Sequence, residues 1–112
     1  MIIKYKKLVR DKIPEIIRAD GKIPKTRILE NDDEFSQEVD AKICEEAAEL
    51  ATAQTREEVL KELADLKQIS LEKATSFKIT EKEIEIERAA RENSRGGFDK
   101  RIFLIEVDEG KK

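Results

Sequence analysis

Histidine and tryptophan are missing from this 112-residue chain, and cysteine, methionine and tyrosine occur once each. The lack of histidine excludes histidine general bases, histidine-containing catalytic triads and zinc sites of the histidine type. The single cysteine, Cys44, excludes an internal disulfide and fits a reducing compartment. No apolar run approaches the roughly 20 residues that span a membrane. The opening MIIKYKKL lacks the apolar core of a secretory signal. These absences predict a cytoplasmic protein without a membrane partner. Net charge is only −3, so the molecule carries no strong attraction for a nucleic acid polymer. No linker, repeat or low-complexity segment interrupts the chain.

Charge of both signs is abundant: 44% of residues are Asp, Glu, Lys or Arg, against 38% apolar. The length suits one domain, residues 1–112, and so small a domain buries only part of its surface. A second copy of the chain would supply the missing burial, which predicts a homodimer or homotetramer.

Helical signals dominate. Pro14 opens a short helix, PEIIRAD, with Asp11 as cap, Gly21 as stop, and Ile16 and Ile17 toward the core. Asn31 or Asp32 caps a long helix running to about Ala53. Thr55-x-x-Glu58 is a capping-box pattern for a second, to about Phe77, and Thr80-x-x-Glu83 for a third, to about Ser94. Gly96-Gly97 ends the third. Lys25–Leu29 and Lys100–Val107 are rich in β-formers, and the last residues, DEGKK, should fray. The expected fold is mainly α: an antiparallel bundle of three longer helices and a short N-terminal one. A small β-ribbon from the segments near 25–29 and 101–107 completes it.

The first two long helices carry the informative chemistry. Glu46 and Glu49 stand three apart in one, Glu62 and Asp65 three apart in the other. Residues three apart lie about 60° apart around a helix, so each pair shares a face. A short connection at Ala53-Gln54-Thr55 makes the helices antiparallel, and the two pairs can meet. In the first helix Phe35, Val39, Ile43, Leu50 and Ala53 form an apolar stripe, and Glu46 continues it. Glu62 shares a line with Ile69 and flanks Leu66. Chance alone gives Glu30/Asp33 and Glu106/Glu109 the same spacing in segments not read as helix. Two pairs on adjoining helices, one member on an apolar stripe, are harder to explain as surface charge. A carboxylate there is costly unless paired or bound to a cation, and facing carboxylates raise each other's pKa. With oxygen donors only, the cation would be a hard one, Mg²⁺ or Mn²⁺. The basic cluster Lys4, Lys6, Lys7, Arg10 and Lys12 reads equally as a phosphate site or a solvated segment.

These residues together resemble the MazG-like nucleotide pyrophosphohydrolases. That all-α superfamily includes phosphoribosyl-ATP pyrophosphohydrolase and the dimeric dUTPases. Its motif is E-E-x-x-E followed, after a gap, by E-x-x-D. Here Glu45-Glu46-Ala47-Ala48-Glu49 precedes Glu62-Leu63-Ala64-Asp65. The flanks, KLVRDKIPE at Lys7–Glu15 and RGGF-x-KRIFL at Arg95–Leu104, resemble a small house-cleaning subgroup, so the likeness spans nearly the whole chain. The resemblance implies Mg²⁺-dependent hydrolysis of a nucleoside triphosphate between the α- and β-phosphates. It implies Glu46, Glu49, Glu62 and Asp65 as metal ligands. Glu45, about 100° from Glu46, would be an outer residue or orient the water. Without histidine, the base would be a carboxylate or a water activated by the metal. Arg10, Lys12, Arg91 and Arg95 are candidates to hold the phosphates. The third helix departs from the better-known branches, whose Lys/Asn phosphate element is matched loosely by Arg91 and Asn93. A second reading keeps the scaffold without catalysis, as a nucleotide- or protein-binding helical oligomer.

Overall fold

The computed structural model describes residues 1–110. Four helices follow in order: α1 (Ile13–Ala19), α2 (Asp32–Thr52), α3 (Arg56–Ser76) and α4 (Glu81–Arg95). The chain falls into two compact units, Met1–Ile79 and a second beginning at Thr80. Among the described residues no helix is long and apolar enough to cross a membrane.

Capping sets most of the helix boundaries. The Asn31 side chain accepts a hydrogen bond from the Glu34 N–H at 3.0 Å, closing the start of α2. Thr55 accepts from the Glu58 N–H at 3.1 Å at the start of α3. The return half of that expected capping box is displaced by one residue, since Glu58 accepts from the Gln54 N–H at 3.3 Å instead. At α4 the box is complete, with Glu83 reaching back to the Thr80 N–H. Gly96 ends α4 at φ +82°, a backbone setting that favours a residue without Cβ. The expected Asp11 cap of α1 is not made: Lys12 stands at that position without a side-chain cap bond. The Ile13 N–H instead donates to the Arg10 carbonyl in a turn. Of the two isoleucines expected inward on α1, Ile17 is half-buried and Ile16 is exposed.

Helices α2 and α3 pack together as an antiparallel hairpin. Asp40, in the first half of α2, accepts from Lys73, near the end of α3, at 2.6 Å, while Glu46 and Glu49, in the second half of α2, meet Glu62 in the first half of α3. The stripe on α2 behaves as read: Val39 and Glu46 are buried, and Phe35, Ile43, Leu50 and Ala53 half-buried. Ile69 and Ala74 are the buried apolar residues of α3. Its Leu60 (59% exposed) and Leu63 (49%) lie on the outward side.

The expected β-ribbon does not form. Neither 25–29 nor 101–107 contains a strand, and the described residues contain none elsewhere. A two-stranded ribbon is marginal in water unless something covers an apolar face. Here Ile28, Ile102, Phe103, Leu104, Ile105 and Val107 are all exposed. Arg101 sits at φ +59°, which breaks extension at the start of the second segment. Its apolar residues run consecutively rather than in alternation, so no single face is offered for burial. The fraying expected of the last residues falls partly outside those described. The third long helix, α4, belongs to the second unit and has no buried residue.

Candidate metal centre

The site lies on the facing sides of α2 and α3, within the first unit. Glu46 is 5% exposed and Glu62 8%, and they are the buried charged residues among those described. Glu49, on the rim, is exposed. One carboxylate oxygen from each of these three lies within 4.8 Å of the others. An octahedral Mg²⁺ at about 2.1 Å sets its ligands roughly 3–4.2 Å apart, so small side-chain adjustments would close the trio on a cation.

The electrostatics match a group of carboxylates short of positive charge. Oε2 of Glu46 and Oε2 of Glu62 are buried and have no hydrogen-bond partner among the described residues. Each such orphan costs free energy when ionised. Burial pushes the Glu46 carboxyl up to about 7, and the facing Glu62 and nearby Glu49 add to it, against the pull of Lys42. Burial acts the same way on Glu62, but its contacts with Glu46, Glu49 and Lys61 outweigh it and hold Glu62 below the ordinary carboxylate range. Glu46 is therefore the carboxyl of the trio that takes up a proton first as pH falls toward 7. A hard cation would satisfy both orphan oxygens and replace that proton.

Asp65 is not part of the trio. It accepts from the Arg10 guanidinium at 2.7 Å and is half-buried. Glu45 also points aside, as its place on the helix predicts, and pairs with Lys7 at 3.0 Å and Lys42 at 3.4 Å. Burial would raise the Glu45 carboxyl, but the Lys7 and Lys42 contacts prevail and hold it below its ordinary value.

Three basic residues at the site were not singled out as individual site residues from sequence. Lys42 lies 3.3 Å from Glu46 and is itself largely buried. Its place four residues before Glu46 was the available signal, because i and i+4 side chains meet on a helix. Lys61 reaches Glu62 at 3.4 Å. Lys7 appeared only as one of a basic cluster, and its partner is 38 residues away, beyond any local pattern. Of the residues proposed for phosphate, Arg10 stands at the site, while Lys12 is exposed at the start of α1. Arg91 and Arg95 lie on α4 in the second unit, both exposed.

No family model matches the chain, and no solved structure matches it. Over 53 residues, 47% of the chain, it is 55% identical to a protein of Mycolicibacterium smegmatis described as uncharacterized. The match covers 53% of that relative, so the chain spans about half the length of the curated protein it resembles.

Proposed function

We propose that the protein is a Mg²⁺-dependent nucleoside triphosphate pyrophosphohydrolase of the MazG-like kind. The observation that carries the reading is the buried meeting of Glu46 and Glu62, each with an orphan oxygen, beside Glu49. The complete acidic motif and the flanking segments support it from the sequence side.

In this reading Glu46, Glu49 and Glu62 hold the cation, and Asp65 joins them when it is released from Arg10. The cation would neutralise the triphosphate and acidify a coordinated water. Water adds to the α-phosphorus, the bond from that phosphorus to the oxygen bridging the β-phosphate breaks, and pyrophosphate leaves. The proton released goes to a carboxylate, since the chain has no histidine. Glu45, kept ionised by Lys7 and Lys42, is suited to accept a hydrogen bond from the attacking water. Incubation with canonical and damaged triphosphates is expected to give pyrophosphate and a monophosphate, only with Mg²⁺ or Mn²⁺. Orthophosphate as first product would move the cut to the β–γ bond and sink the assignment. The second reading, a non-catalytic binding oligomer, draws on the engagement of Asp65 by Arg10. It predicts nucleotide binding without turnover in the same assay.

The working form in this reading is a homodimer or homotetramer. The outward Leu60 and Leu63 of α3, with exposed Phe77 just beyond it, leave apolar surface that a second copy would cover. Light scattering is expected to report at least twice the 12.9 kDa of the chain. A monomer at high micromolar concentration would refute it.

A further inference from the structure

The N-terminal segment crosses the hairpin at the acidic site and is tied there at both ends. Lys7 pairs with Glu45 on α2 at 3.0 Å, and Arg10, three residues on, with Asp65 on α3 at 2.7 Å. Leu8 between them is half-buried, and the Arg10 carbonyl accepts from the Ile13 N–H, which fixes the segment to the first turn of α1. The strap thus holds two of the five motif carboxylates, Glu45 and Asp65.

We infer that Arg10 is an exchangeable counter-ion. It occupies Asp65 in the metal-free protein, gives up Asp65 to an incoming divalent cation, and turns its guanidinium to the phosphates that arrive with it. The inference rests on the metal-site reading above. Three observations carry it. Arg10 is 55% exposed in its side chain, so its bond to Asp65 is a surface contact that a cation can displace. Asp65 stands one helical turn from Glu62, on the same side of α3. A guanidinium presents a planar fork that suits phosphate as well as carboxylate, so it keeps a partner in both states.

The test needs no turnover. Mn²⁺ binding to the full chain is titrated by electron paramagnetic resonance of the free ion, for the parent, Arg10→Ala, Asp65→Asn and the double variant. Arg10→Ala is expected to bind Mn²⁺ about two- to fivefold tighter, the scale of one surface ion pair. In the Asp65→Asn background the same change should have little effect. Inorganic pyrophosphate should then bind the Mn²⁺-loaded Arg10→Ala protein about tenfold more weakly than the parent, the scale of a lost charged hydrogen bond. Equal tightening in both backgrounds would mean that Arg10 acts only through its field, and would overturn the exchange. Unchanged Mn²⁺ affinity in Arg10→Ala would overturn it while leaving the metal site standing. Unchanged pyrophosphate binding would remove the hand-over to phosphate. No Mn²⁺ binding by any of the four would overturn the metal site itself, and the exchange with it.

Discussion

Glu46→Leu is expected to abolish Mg²⁺-dependent hydrolysis and to leave the metal-free fold at least as stable as the parent. Loss of outer partners of a metal typically costs roughly ten- to a hundredfold, so loss of a ligand should cost more than about a hundredfold. Stability should move the other way. Glu46 lies in the apolar stripe of α2, 5% exposed, with an orphan oxygen facing two further carboxylates. Leucine fits the pattern of Val39, Ile43 and Leu50 and removes a buried carboxyl with an orphan oxygen. A gain of about 1 kcal/mol or more is expected in chelator at pH 7.5 or above, where Glu46 is mostly ionised. Glu38→Leu, about two turns earlier on the same helix and outside the site, should leave hydrolysis nearly unchanged. Activity assays and thermal melts in chelator on both variants decide it. Hydrolysis at the parent rate would remove Glu46 from the site. Strong destabilisation without metal would make it a structural carboxylate, and its partner would be Lys42, 3.3 Å away.

The parent protein in chelator is expected to lose stability as pH rises from about 5 to 7.5, and Mg²⁺ is expected to restore it. The Glu46 carboxyl is pushed up to about 7 by burial, from an ordinary value of 4.5. A group with a raised folded pKa contributes stability that is fully present below its unfolded pKa and is lost as pH rises through the folded one. Glu62 has the opposite sign, being held low, and its contribution changes only below its ordinary value. Between pH 5 and 7.5 the Glu46 loss therefore dominates this site. It should amount to about 2 kcal/mol, or a fall of roughly 5–10 °C in Tm for a chain of this size. A cation binds the deprotonated carboxylates, so saturating Mg²⁺ should flatten the profile. Glu46→Leu in chelator should show no such fall. A parent profile that is flat over this range would mean that Glu46 stays ionised beside Lys42 in the metal-free fold.

The sequence by itself determined the helices and the inner face of the hairpin, because those signals are local and periodic. Asn31, Thr55 and Thr80 cap their own next turns, and a cap needs no distant partner. The three-and-four spacing around Glu46 puts it among Val39, Ile43 and Leu50 on one side of α2, and the brief connection after Thr52 turns α3 back against that side. Glu46, Glu49 and Glu62 follow from those two facts. Tertiary structure alone decided the rest. The segments 25–29 and 101–107 have the composition of strands, but composition does not provide a covering face, and their apolar side chains stay in water. Asp65 shares a helix face with Glu62, yet its partner is Arg10, 55 residues away. Lys7 finds Glu45 across 38 residues. Such charge pairs carry no periodicity, because long flexible side chains choose among many acidic groups only once the backbone has brought a few of them within reach.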